Sequence, residues 1–119
     1  MTYKQGYFTM FYLLNKYYFE DTSNDDLAVL LGSMNPEIFI DNEAVSADPA
    51  YWADWERILN ENEVIEPMSA DNISDMIVAF LEFYQKEFEF NLSEIIEKIE
   101  RLSSGNEILI ECIKLAEAK

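Results

Sequence analysis

The apolar residues between positions 3 and 19 recur at the i, i+4 and i+7 spacing of one helix face. The residues on this face are Tyr3, Tyr7, Met10, Phe11, Leu14, Tyr17 and Tyr18. Further apolar residues, among them Tyr12 and Leu13, cover other sides of the same helix. A helix that is apolar around most of its surface is typical of the centre of a bundle. We therefore predict a central helix over residues 3–19.

Capping residues mark the starts of the next two helices. Ser23 or Asn24 can cap a helix of two turns, with acids in its favourable first turn, and Gly32 is positioned to end it. Asp48-Pro49 reads as an N-cap followed by proline at the first helical position, so a third helix should run to about Asn62.

Three more helices follow from the same kinds of signal. A fourth starts at Ser69 or Asp71 and carries an apolar face at helical spacing. Residues 91–94, NLSE, match the capping box loosely before a fifth helix that Ser104-Gly105 would close. Asn106 can cap the last helix. We predict a 1–119 single helical domain.

Residues 33–47, SMNPEIFIDNEAVSA, are the one long stretch without a helical pattern. Pro36 prevents the preceding helix from continuing, and a short strand or hairpin here stays open. Three glycines and three prolines in 119 residues are few for a β-sandwich or barrel. The predicted fold is all-α: a bundle of about five to six helices with one long irregular loop at about 33–47.

The net charge of −16 is concentrated in the middle of the chain. Of 24 acidic and 8 basic residues, positions 20–75 contain 15 acids and a single base, Arg57. A segment this one-sided repels itself, and it would also repel nucleic-acid phosphates and anionic membranes. We therefore expect a cationic partner, most simply a basic protein, and neither nucleic acid nor a membrane.

The residue types that carry common active-site chemistry are scarce. With no histidine and only Cys112, the usual zinc sets and His-dependent catalytic triads cannot form, and acid runs starting at Asp21 or Asp41 fail the EF-hand pattern. Cys112 lies on an apolar helical stripe, which favours an inert core residue. We expect no cofactor, no metal and no enzymatic activity.

The segment ADPAYWADW, residues 47–55, contains both tryptophans of the chain. In a helix, Trp52 and Trp55 fall on the same side as Ile58, which favours a core position, although tryptophan is also a common partner-binding anchor. The opposite side carries Asp54 and Arg57.

The N-terminal residues lack the pattern of a signal peptide, and no run of 18 uninterrupted apolar residues occurs. The sequence therefore predicts a cytoplasmic protein.

Three segments together resemble a group of small acidic bacterial proteins: TMFYLLNKYY (9–18), SNDDLAVLLGSM (23–34) and ADPAYWADW (47–55). The resemblance covers about residues 7–59, and the match of the first segment is loose. It is to immunity proteins of interbacterial toxin systems, including contact-dependent growth inhibition. It implies a helical protein that binds a toxin domain inside the producing cell and blocks its active site or substrate surface.

Charge and resemblance together predict a stoichiometric inhibitor of a basic toxin, with a nuclease as the expected type. The predicted partner-binding residues are Asp25, Asp26, Glu37, Asp41, Glu43, Asp54, Glu56, Glu61 and Glu63. A nucleic-acid mimic, or an acidic helical adaptor or subunit without a toxin partner, remains as an alternative.

Overall fold

Six α-helices make up the secondary structure of the part of the chain that the computed structural model describes, residues 1–35 and 46–118. They are α1 (Tyr3–Glu20), α2 (Asp25–Met34), α3 (Pro49–Glu61), α4 (Ala70–Phe88), α5 (Ser93–Glu100) and α6 (Glu107–Glu117). The prediction of an all-α bundle of five to six helices is confirmed.

Helix α1 lies at the centre of the bundle. It packs against α2, α3 and α6, while α4 packs against α3 and α5. Tyr7, Met10, Leu13 and Leu14 are fully buried, so α1 buries residues from more than one side of its surface. This arrangement confirms the central position predicted from its apolar pattern.

Side-chain caps begin three of the helices where the sequence predicts them. The side-chain oxygen of Asn24 accepts from the N–H of Leu27 at the start of α2, and that of Asp48 accepts from Ala50 at the start of α3. Asn106 accepts from two backbone N–H groups of α6. Each bond satisfies a donor that the first helical turn would otherwise leave unpaired.

The predicted end of α2 is wrong. Helix α2 continues past Gly32 to Met34, so residues 33 and 34 belong to a helix and not to the loop. A glycine inside a helix costs about 1 kcal/mol, but Met34 is fully buried and its burial favours the extra turn. The remainder of the predicted loop, residues 36–45, lies outside the described residues, as does the possible strand or hairpin there.

Helix α5 differs from its prediction at both ends. It has no capping box, because its N-cap position is Leu92 and the side-chain amide of Gln85 on α4 accepts from the N–H of Leu92 instead. It also ends at Glu100, before Ser104-Gly105. No side chain caps α5, and the Gln85 contact instead ties the start of α5 to α4.

Trp55 belongs to the core. It is completely buried, and its indole Nε1 donates to the backbone oxygen of Tyr3 at 2.9 Å. Trp52 is half-buried and meets the Tyr7 ring edge-on at 5.6 Å.

Cys112 is also buried, as predicted. Across the described residues, no helix combines the length and apolar character needed to cross a membrane.

Candidate functional site

The predicted partner-binding residues fall into two groups and a remainder. Asp25 and Asp26 occupy the first turn of α2. Another four lie on α3 or directly after it: Asp54, Glu56, Glu61 and Glu63. Glu37, Asp41 and Glu43 lie outside the described residues.

Glu63 and the pair Asp25 and Asp26 lie near opposite ends of α1. The Tyr3 hydroxyl, at the start of α1, donates to the backbone oxygen of Val64, the residue after Glu63. Helix α2 begins shortly after the other end of α1. The 18 residues of α1 span about 27 Å at a rise of ~1.5 Å per residue.

Asp54 is committed to contacts within the protein. Its Oδ2 atom accepts a 2.6 Å hydrogen bond from the Tyr84 hydroxyl on α4, and Arg57 lies 3.7 Å from Oδ1. Burial and the neighbouring Asp54 carboxylate both raise the pKa of Tyr84, so its hydroxyl remains protonated and continues to donate. Asp54 therefore joins α3 to α4, and both of its carboxylate oxygens already have partners within the protein.

Arg57 links the outer face of α3 to α4. Its guanidinium binds Glu61 Oε1 at 3.0 Å and lies 4.5 Å above the centre of the Phe83 ring. Exposed pairs of this type stabilise a helix by only a few tenths of a kcal/mol, ~0.3–0.5. Their main effect here is to orient the guanidinium over the ring.

The connection after α3 presents an exposed apolar side chain among carboxylates. We call residues 61–66 the acidic loop. Ile65 is 79% exposed, and Glu61, Glu63 and Glu66 surround it in the sequence. Glu63 has a φ of 57°, in the left-handed region that non-glycine residues rarely adopt. Single exposed apolar residues are common on protein surfaces, so what distinguishes Ile65 is the carboxylates around it.

Backbone hydrogen bonds hold the acidic loop in place. The N–H of Glu63 donates to Asn60 at 3.1 Å, and the N–H of Val64 donates to Leu59 at 3.0 Å. Val64 is buried, and its backbone oxygen accepts from Tyr3. Because these contacts fix the backbone on both sides of Glu63, Ile65 projects from an ordered base. A pre-ordered surface loses less conformational entropy on binding.

Most carboxylates near the acidic loop have no cationic partner. In residues 1–35 and 46–118, the ion pairs join Lys16 to Glu111 and Arg57 to Asp54 and Glu61. The exposed carboxylates of Glu63 and Glu66 form no ion pair within that part of the chain. Their negative potential is therefore directed at solvent, where a cationic partner can reach it.

At the other end of α1, Asp25 and Asp26 border a polar recess of about 370 Å³ between α2 and the α4–α5 connection. Glu94 also lines it. Asp26 Oδ2 accepts from the backbone N–H of Asn91 at 2.7 Å, so this carboxylate also holds two segments together. Nowhere in the described residues do three or more His, Cys, Asp or Glu side chains group in a way that could hold a metal ion.

Sequence reasoning missed Ile65 and Tyr84. Ile65 had a usable signal, because it is an apolar residue between acids, flanked by Asn62 and Pro67, which favour turns. Tyr84 had none, since its bond to Asp54 joins residues 30 positions apart.

No protein-family model, no curated protein and no solved structure matches this chain. The fold and the site therefore stand on the chain's own residues.

Proposed function

We propose that the protein is an immunity protein, a stoichiometric inhibitor that binds a basic toxin of an interbacterial system and neutralises it. The observation that carries this proposal is the acidic loop. There, an exposed apolar side chain, Ile65, projects from a hydrogen-bonded base beside the carboxylates of Glu63 and Glu66, neither of which forms an ion pair in the described part of the chain. This combination suits a cationic protein surface with a small apolar depression.

A nuclease is the toxin type that best fits this charge. A protein that binds nucleic acid must present lysines and arginines to phosphates, so the same surface attracts a carboxylate-rich inhibitor. Binding there would cover the substrate surface of the toxin. The inhibitor would act in the cytoplasm of the producing cell, where newly made toxin first becomes dangerous.

Electrostatic steering would make the inhibitor bind the toxin fast enough to protect the producing cell. Complementary charge raises association rate constants from about 10⁵–10⁶ M⁻¹s⁻¹ to roughly 10⁸–10⁹ M⁻¹s⁻¹ at low salt. The apolar contact then slows dissociation, because a buried anchor has to leave its pocket.

The first experiment identifies the partner. The tagged protein is used to capture proteins from its own producing cells, and the captured protein is expressed with and without the inhibitor. We expect a basic protein whose production stops growth and whose toxicity disappears on co-expression. Capture of several unrelated nucleic-acid-binding proteins would instead indicate a nucleic-acid mimic, and a non-toxic partner would indicate an adaptor.

The second experiment tests the acidic loop by stopped-flow kinetics. Glu63→Gln/Glu66→Gln removes two charges from the loop, and Glu100→Gln/Glu117→Gln removes two exposed charges elsewhere, so both variants have the same net charge. We expect the loop variant to associate about tenfold more slowly at low salt, with the difference shrinking as salt is added. Equal slowing of association in both variants, or a wild-type association rate that does not change with salt concentration, would refute steering by the loop.

A further inference from the structure

A column of aromatic rings runs from the core to the surface at the end of α4. The Tyr51 and Tyr84 rings stack at 4.5 Å, and the Phe88 ring stacks on Tyr84 at 5.2 Å with an interplanar angle of 22°. Phe90 lies beside Phe88 at 6.2 Å. We call Phe83, Tyr84, Phe88 and Phe90 the aromatic ledge. Phe88 is 55% exposed, so one ring of the ledge is open to solvent.

The ledge already holds one guanidinium. Arg57 lies over Phe83 at 4.5 Å, and Phe83 meets the Phe88 ring edge-on at 6.3 Å. The carboxylates of Asp54 and Glu61 hold Arg57 in that position. An aromatic face with carboxylates beside it is thus a geometry in which this protein binds arginine internally.

A similar combination occurs around Phe88, and no described cation lies over its ring. The rings that carry a cation in the described part of the chain are Phe8, Tyr17 and Phe83. Exposed Glu87 and Glu89 flank Phe88, and Asp26 binds the backbone of the residue after Phe90. Exposed Lys86 in the last turn of α4 offsets one of these charges, and the remaining charge near the open ring is negative and favours a cation.

We infer that the aromatic ledge, with Phe88 as its outer ring, is the docking site for an arginine-bearing segment of the basic partner. The identity of that partner rests on the proposed function, but the chemistry of the ledge does not. A guanidinium is planar and weakly hydrated, so it stacks on an aromatic ring more favourably than a lysine ammonium does. A second copy of this chain is disfavoured as the occupant, because it would bring two molecules of charge −16 together.

Two short peptides of equal charge test the chemistry of the ledge. Acetylated and amidated Gly-Arg-Gly-Arg-Gly is compared with the lysine analogue by titration into the ¹⁵N-labelled full chain. We expect the arginine peptide to shift the amide signals of Phe88, Phe90 and Asn91 in a saturable way. The lysine peptide should bind there about two- to fivefold more weakly.

Phe88→Leu removes the ring and keeps an apolar side chain at an exposed position, so it should leave the fold intact. Phe19→Leu is the matched control, because Phe19 is also an exposed phenylalanine and is followed by Glu20 and Asp21. We expect Phe88→Leu to weaken the arginine peptide about two- to fivefold and Phe19→Leu to leave it unchanged. Equal binding of both peptides, or equal effects of both variants, would overturn the inference.

The captured toxin provides the second readout. Phe88→Leu should raise its dissociation rate several-fold, whereas the acidic-loop variant should mainly slow its association. Arginine selectivity at Phe88 without a captured toxin would support the ledge and contradict the proposed function. A toxin whose dissociation rate is insensitive to Phe88→Leu would leave the proposed function standing and overturn the ledge as its docking site.

Discussion

The hydroxyl of Tyr84 donates a 2.6 Å hydrogen bond to Oδ2 of Asp54, which joins the middle of α3 to α4. Asp54 belongs to the acidic stretch that composition alone would assign to a partner. The structure divides that stretch: Asp54 holds two helices together, whereas Glu63 and Glu66 project into solvent. Some of the negative charge therefore contributes to the fold before any partner binds.

Tyr84→Phe should lower the free energy of unfolding by about 1–2 kcal/mol, because the half-buried carboxylate of Asp54 loses a donor. Urea unfolding followed by circular dichroism measures the change. Asp54→Asn and the double variant complete a thermodynamic cycle, and we expect a coupling of about 1 kcal/mol between the two residues. Additive effects would show that the bond contributes nothing of its own.

The two helical glycines should respond to alanine with opposite signs. At Gly32 in α2, an added Cβ meets nothing within 4 Å. Gly32→Ala should therefore stabilise the protein by roughly 0.5–1 kcal/mol through helix propensity. At Gly6 in α1, the Cβ would lie 2.8 Å from Met68 Sδ and 3.3 Å from Trp55 Cζ2.

Gly6→Ala gains the same propensity but forces buried side chains to move, and overpacking of this kind costs about 1–3 kcal/mol. We expect a net loss of stability. Paired urea unfolding curves give both values under identical conditions. A Gly6→Ala variant as stable as Gly32→Ala would mean that Met68 moves aside without cost and that the core near α1 is loosely packed.

The helices were predictable from sequence because their signals are local. Asn24, Asp48 and Asn106 cap their own helices, and the apolar face of α1 repeats within a single element. The predicted helix boundaries are wrong where contacts with other parts of the chain determine the structure. The start of α5 has no side-chain cap and is held by Gln85 on α4, and α2 continues through Gly32 because Met34 is buried.

The same distinction applies to the candidate site. Composition identifies the acidic stretch, since charge can be counted without knowing the fold. It cannot separate Asp54, which Tyr84 binds from α4, from Glu63, which faces solvent. The exposure of Ile65 also depends on the hydrogen bonds that hold Val64, and one of these comes from Tyr3 at the start of α1.

Trp55 and Trp52 should differ in their contribution to stability although they are three residues apart. Trp55 is fully buried and donates to Tyr3, so Trp55→Phe loses a hydrogen bond and leaves a space, at a cost of about 1–3 kcal/mol. Trp52 is only half-buried, and Trp52→Phe should cost less than about 1 kcal/mol. Urea midpoints of the two variants give the comparison, and equal midpoints would contradict the assignment of Trp55 as the core residue of the pair.

Stability should fall at alkaline pH because buried acidic groups, among them Cys112, Tyr7 and Tyr84, are held neutral in the folded state. Burial raises the pKa of the Cys112 thiol from its ordinary 9.0 to about 11, and burial also raises the pKa values of Tyr7 and Tyr84. Above about pH 9 the unfolded chain releases the Cys112 proton while the folded protein retains it, so the free energy of unfolding decreases as pH rises. The tyrosines extend this decrease above their ordinary pKa of 10.0.

Urea unfolding with a reductant at about pH 8, 9, 10 and 11 measures the slope, and Cys112→Ala should remove the part that begins near pH 9. A wild-type curve that stays flat to about pH 11 would contradict the burial of these three groups.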